Sequence, residues 1–425
     1  MSFPLLPSEI QLQIAECLRT DLTALGNWSC TSRHFQSLLA PQFFQSIILR
    51  NTEESSITAN LVLAKYGRYI KELRFIATAP RNEENDEYES SDVIAIFPQA
   101  VEDVLSNLNQ IPELETLCIE LDIHADLRGF YANYWDDLGQ AQEAEEATIE
   151  SKITDRWRAL MAKTFASIAR NEKPRFKVLV VKNLLPIEVS TFNTVAFHEF
   201  LSHMQRFELY LHGYYNGGWG SGSANPVEDF ADRLDVWFFD HLISVTDLTI
   251  HAHEEERMCA YESELPITEN RLPLLKSLRV KNLFLRGSLA EFLTNHGDTL
   301  EVLELDDCFG DANLREVDPA NRFFWDGLFI SLTEAKPSRL RQLKITPVEV
   351  PLPKDDAEEV RRTLEGNDQL RPFPYGWSDD KYGCTGPDEY FNRDRFQSGE
   401  DQRAFECLMR IVAANASSYR GSGVR

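Results

Sequence analysis

Residues 299–308 read TLEVLELDDC, and this stretch decides how the rest of the chain is read. Leu303 and Leu305 stand two apart, the spacing that puts side chains on one face of a β-strand. With Leu300 and Cys308 they complete the pattern LxxLxLxxC. A shorter form of it, apolar-x-x-apolar-x-apolar, recurs at Ile70-Leu73-Phe75, Leu114-Leu117-Ile119, Phe176-Leu179-Val181 and Met204-Phe207-Leu209. It returns at Val245-Leu248-Ile250, Leu275-Leu278-Val280 and Leu340-Leu343-Ile345. Between copies the sequence reads as helix. Ser288 and Glu291 fit a capping box, Leu289 and Phe292 supply an apolar face, and Gly297 sits where a C′ glycine belongs. Asn225-Pro226 opens a second helix through Phe230, Leu234, Trp237 and Phe238, and residues 320–335 suit a third. Strand alternating with helix predicts an α/β fold of parallel βα units rather than a sandwich.

Repetition narrows this further. The eight copies resemble leucine-rich repeats, in which strands stack into a parallel sheet and helices pack outside it. Successive copies lie between 25 and 62 residues apart, as counted from Leu73, Leu117, Leu179, Phe207, Leu248, Leu278, Leu303 and Leu343. Most spacings exceed the usual repeat, so most copies carry inserts. The resemblance implies an irregular solenoid of parallel strands with outer helices over residues 51–350. The alternative is an unrelated α/β domain whose buried strands are Leu-rich. Residues 81–92 and 136–150 are acidic inserts, and the second leads into an amphipathic helix with Ile149, Ile153, Trp157, Leu160, Phe165 and Ile168. Residues 351–425 read as an irregular tail with an aromatic loop, Tyr375-Gly376-Trp377, closed by a helix from Asp401 to Ala414 that caps the array. Strand residues pointing away from the helices would line a concave, substrate-binding face: Arg74, Lys182, Arg206, Tyr210, His251, Arg279, Lys281, Glu304, Asp306 and Lys344.

The first fifty residues are different. Ser8 and Gln11 fit a capping box after Pro7, and Ile10, Ile14 and Leu18 form a narrow apolar stripe. Asp21 suits the cap of a second short helix with Leu22, Leu25 and Trp28, and Phe35, Leu38 and Leu39 start a third apolar face that Pro41 would end. Three such helices bury little alone, so a partner surface is expected. Leu6-Pro7-x-Glu9-Ile10, Asp21-Leu22 and Ser29-Cys30-Thr31-Ser32-Arg33-x-Phe35 resemble an F-box spanning residues 1–50. Phe35 stands where many members carry Trp. The resemblance implies docking on a Skp-type adaptor and, through it, a cullin scaffold. Leu6, Pro7, Ile10, Ile14, Leu18, Leu22 and Leu25 would face the adaptor or support that face. The alternative is an ordinary helical cap on the end of a larger core.

Composition limits what else the chain could do. Asp plus Glu number 68 against 43 Lys plus Arg, a formal charge of −25, and no basic patch offsets it. That predicts no nucleic-acid partner. No window approaches a membrane span, and no basic n-region precedes an apolar run, so no membrane partner is expected and the chain reads as cytoplasmic or nuclear. Seven scattered Cys without CxxC predict neither a disulfide framework nor a thiolate zinc site. The glycine run Gly217–Gly222 lacks the Gly-Lys-Ser/Thr ending of a phosphate loop. His251-Ala252-His253 beside Glu254–Glu256 has no third His at a motif spacing, and His198 and His203 fall out of phase on a helix. No catalytic site, metal or cofactor is predicted. The expected function is the substrate-recognition subunit of an SCF-type ubiquitin ligase, holding an unknown protein substrate near a separate conjugating enzyme. The alternatives are a repeat scaffold unconnected with ubiquitination and an enzyme on an α/β fold.

Overall fold

A computed structural model describes residues 6–18, 21–78, 97–123, 153–213, 226–253, 257–260, 263–268, 270–312, 323–346, 350–354, 360, 363, 370–379 and 384–422. Both acidic inserts, Ile149 and the glycine run lie outside them. Twelve strands are described: β1 Ser46–Arg50, β2 Glu72–Ala77, β3 Thr116–Leu121, β4 Val178–Leu184, β5 Arg206–Leu211, β6 Asp247–His251, β7 Ser277–Lys281, β8 Val302–Asp306, β9 Gly310–Asp311, β10 Gln342–Thr346, β11 Tyr375–Asp379 and β12 Cys384–Pro387. β1 to β8 and then β10 form one nine-stranded sheet in chain order. Every pairing in it is parallel. Crossovers in parallel sheets are right-handed, so stepping always in one direction delivers each connecting helix to the same face.

Burial follows the apolar pattern. Each of the eight copies contains or leads into one strand, and its apolar residues are buried except Leu343, which is half-buried. They share one core with Leu105, Leu160, Phe197, Phe292 and Leu328 of the covering helices. The helix Ile153–Ala169 lies in this layer, with Trp157, Leu160, Phe165 and Ile168 all buried. Beside it Phe165, Phe192, Phe197 and Phe238 stack edge-on or tilted, ring centres 5.0 to 5.7 Å apart.

A repeated backbone device turns the chain off the sheet. Asn183, Asn282 and Asp307 each follow the second strand residue of a copy by two positions, with φ of 55°, 58° and 50°. Asn tolerates this left-handed conformation better than most residues. Its amide also ties neighbouring copies together: Asn282 donates to the Ala252 carbonyl at 2.8 Å, and Asn183 to Leu121 at 3.1 Å. Asn51, two residues after Leu49, exchanges a pair of 2.9 Å bonds with Thr78. The best copy's Cys308 is buried, its thiol pushed up to about 12 by burial, and donates to Val280 and Asp306 carbonyls.

Several local expectations are corrected. The sheet begins at β1, one strand earlier than the eight copies predict. Ser8 and Ser288 do not cap their own helices; Gln11 donates to the Leu6 carbonyl and Ser288 to Glu264. Pro41 sits inside the helix Arg33–Phe43, two residues short of its end, where its missing N–H removes a single bond. Gly297 has no left-handed φ; a Cβ there would lie 3.2 Å from the Thr294 carbonyl oxygen and 3.4 Å from Pro337, so the position is tight rather than conformationally restricted. The aromatic loop is a strand, β11, in a small sheet with β9 and β12. Tyr375 is buried and lies over Gly310, and its hydroxyl donates to Asp401 at 2.9 Å. The last helix spans Glu400–Ser422, longer than expected, and Leu408 and Val412 complete the core at the β10 end.

Asn282 gives the sharpest test of this construction. Asn282→Ala leaves a buried carbonyl unpaired and a methyl-bearing residue at positive φ, which together should cost about 2–4 kcal/mol. Asn282→Gly relieves the backbone alone and should recover part of that loss. Urea unfolding midpoints of the three proteins check this ordering.

Candidate functional site

Two surfaces remain once the core is assembled. The first is the N-terminal helical unit of α1 Ser8–Cys17, α2 Leu22–Ser29 and α3 Arg33–Phe43. Asp21 caps α2 by accepting from the Ala24 amide, and Ser32 caps α3 through the Phe35 amide. Ala15, Leu25 and Leu39 make a small core separate from the main one, with Leu18, Trp28 and Phe43 packed against it. Of the residues expected to face a partner, Ile10 is 40% exposed and Pro7 exposed, while Leu6 and Ile14 are half-buried. Leu18 and Leu25 face inward instead and hold the helices together. The Leu22 side chain lies outside the described residues. Sequence reasoning missed Leu12, 37% exposed on α1.

The second surface is the sheet face away from the helices. Strand register brings the expected residues into rows: Ile48, Arg74, Cys118, Val180, Glu208, Thr249, Arg279, Glu304 and Lys344 are consecutive partners across all nine strands. Arg206 lies in the row before it, and Lys182, Tyr210, His251, Lys281 and Asp306 in the row after. A register shift between β4 and β5 breaks that last row after Lys182. All ten expected residues therefore lie on one face. Ile48, 52% exposed on β1, was missed with its strand.

The face has two halves. Across β2–β4 the face includes the buried Ile76, Cys118 and Val180. Arg74 locks onto Glu120 there, its Nε 2.7 Å from the carboxylate. Burial pushes the Cys118 thiol up to about 11, so it stays protonated and is a poor nucleophile. Across β5–β8 the charges are paired more loosely: Arg206 to Asp247 at 3.9 Å, Arg279 to Glu304 at 3.3 Å, Lys281 to Asp306 at 3.7 Å and to Asp307 at 3.5 Å. Tyr210 donates to Glu208 at 3.1 Å and meets the His251 ring edge-on. Burial, with Glu208 beside it, pushes Tyr210 up to about 12; burial and Lys281 lower His251.

Among the described residues, no group of three or more His, Cys, Asp and Glu is placed to hold a metal ion, and no helix is long and apolar enough to cross a membrane. His251 and His253 instead meet Tyr210 and His212. An open groove of about 470 Å³ lies at the β1 edge of the sheet, between Phe43, Ile48 and Val62. No protein-family model matches the chain, and no curated protein matches it.

His212, at the end of β5, sets a pH dependence. Burial first, and His253 second, push it down to about 4 from an ordinary 6.5. The unfolded chain therefore takes up a proton that the folded one refuses, and stability falls as pH drops from 6.5 toward 4. His212→Gln should flatten the pH dependence of the unfolding midpoint in that window while leaving it unchanged above pH 7.

Proposed function

We propose that the chain is a substrate receptor of an SCF-type ubiquitin ligase, with residues 1–50 as an F-box and the sheet with its helices as an irregular leucine-rich-repeat solenoid. The observation that carries this reading is the position of Pro7, Ile10 and Leu12. They are apolar residues left at the surface of a three-helix unit that has a small core of its own, built on Ala15, Leu25 and Leu39. A surface of that kind suits a partner's apolar groove, and the Leu-Pro-x-Glu-Ile opening matches the F-box pattern for a Skp-type adaptor. The chain-order parallel sheet, with one face under helices and the other ranked in rows of side chains, supports the repeat reading. In this role the protein transfers nothing itself. It raises the local concentration of a target lysine near a charged conjugating enzyme, which is a contribution of proximity.

The adaptor interaction is the decisive test. The full chain should co-purify with a Skp-type adaptor as a stoichiometric complex. Pro7→Ala with Ile10→Ala should weaken it by about thirtyfold or more, the loss expected of two apolar anchors, with no change in melting temperature. Leu25→Ala should act differently, loosening the unit's core. Absence of a complex with the unaltered chain, or indifference to the surface substitutions, contradicts the proposal.

A further inference from the structure

The charged half of the helix-free face is ordered in columns, strand by strand. β6 carries Asp247; β7 carries Arg279 and Lys281; β8 carries Glu304 and Asp306; β10 carries Lys344. The sign alternates at each step: negative, positive, negative, positive. These side chains reach solvent unequally, Arg279 56%, Asp247 and Asp306 each 41%, Lys281 33% and Glu304 21% exposed. Their mutual contacts, at 3.3 to 3.7 Å between β7 and β8, are loose. Exposed pairs of this kind contribute under about 1 kcal/mol, so an incoming charge can replace either partner at little cost. The Arg74–Glu120 contact on the other half is closer and less exposed, and is not exchangeable in the same way.

Spacing then selects the occupant. Neighbouring strands are about 4.8 Å apart, whereas same-face side chains of an extended peptide repeat at about 6.7 Å. Along one face of a helix, residues three to four apart advance about 5.4 Å, close to the column spacing. Resting on the reading of this face as the target-binding surface, we infer that it binds an unphosphorylated helical segment of the target laid across β6, β7, β8 and β10. Its contacting residues run basic, acidic, basic, acidic at intervals of three to four. A phosphate would bring a charge of about −1.5 to −2 against Glu304 and Asp306, which stand within 4 Å of the cations it would seek.

The probe is an alanine-based helix bearing Lys, Glu, Lys, Glu at those intervals, compared with all-Lys, all-Glu and phosphoserine-for-Glu versions. Binding to the full chain is read by fluorescence anisotropy. The alternating helix should bind at least about tenfold more tightly than any other version and weaken as salt rises. Glu304→Lys with Asp306→Lys should abolish that preference and create binding to the all-Glu helix. Arg279→Glu with Lys281→Glu should instead create binding to the all-Lys helix, and either gain shows that the fold is kept. Equal or tighter binding of the all-Glu or phosphoserine helix to the unaltered chain overturns the inference. So does an unchanged preference in both double variants. Adaptor binding is scored separately. Peptide preference without adaptor binding sinks the receptor role alone, and adaptor binding without peptide preference sinks this inference alone.

Discussion

Leu303 and Leu305 are sealed between the sheet and its helices, and the same pair of positions in every neighbouring strand from β2 to β7 is sealed likewise. The nine-stranded sheet and the face opposite its helices depend on that burial. A fully covered apolar side chain contributes roughly 1.5–3 kcal/mol, so a strand that slipped by one residue would surrender several such contributions at once. The cost of slipping keeps β1 to β8 and β10 in register. Register in turn decides which charged residues of the opposite face become neighbours.

The consequence is a sheet with one structural face and one chemical face. Helix-side residues are nearly interchangeable apolar groups, and Asn51, Asn183 and Asn282 tie three pairs of neighbouring copies together through side-chain bonds to backbone carbonyls. Opposite them, acids and bases meet across strand boundaries, and the formal charge of −25 has little expression there. At the β10 end the array is closed by Tyr375, Asp401 and Arg395. Arg395 reaches Asp326 at 3.0 Å while stacking over Phe324. This cap covers apolar surface that the last strand would otherwise expose, with Leu408 and Val412 joining the common core, although Leu343 stays half-buried.

Much of this was legible in the sequence because the determining pattern is local. A three-residue apolar motif needs no long-range information, and its eight copies located eight strands and the rows on their far side. A ninth, Phe44-Ile47-Leu49, has the same spacing but follows directly on helix α3, and reading outward from the best copy stopped short of it. Other features were illegible because they join residues distant in the chain. The buried Arg286–Asp311 pair sits between segments that each look like loop, and Arg286 also donates to the Cys259 carbonyl at 2.9 Å. Tyr375 becomes a strand residue only because Gly310 leaves room for its ring. The Ser288 cap failed for a related reason. Ser288 already lies inside its helix, whose cap position is Arg286, and its hydroxyl accepts from the Leu265 amide and donates to Glu264, which no local rule anticipates.

Register and strand order are together the claim on which the candidate sheet surface stands, and paired cysteines test them most directly. In-register neighbours on adjacent strands lie within disulfide reach, where Cα atoms must be about 4.4–6.8 Å apart. Arg279→Cys with Glu304→Cys, and Thr249→Cys with Arg279→Cys, should each cross-link rapidly on mild oxidation, located by mass spectrometry. Arg279→Cys with Lys344→Cys, two strands apart, should not. Preferential cross-linking of that last pair, or none in the first two, would contradict the chain-order, in-register sheet.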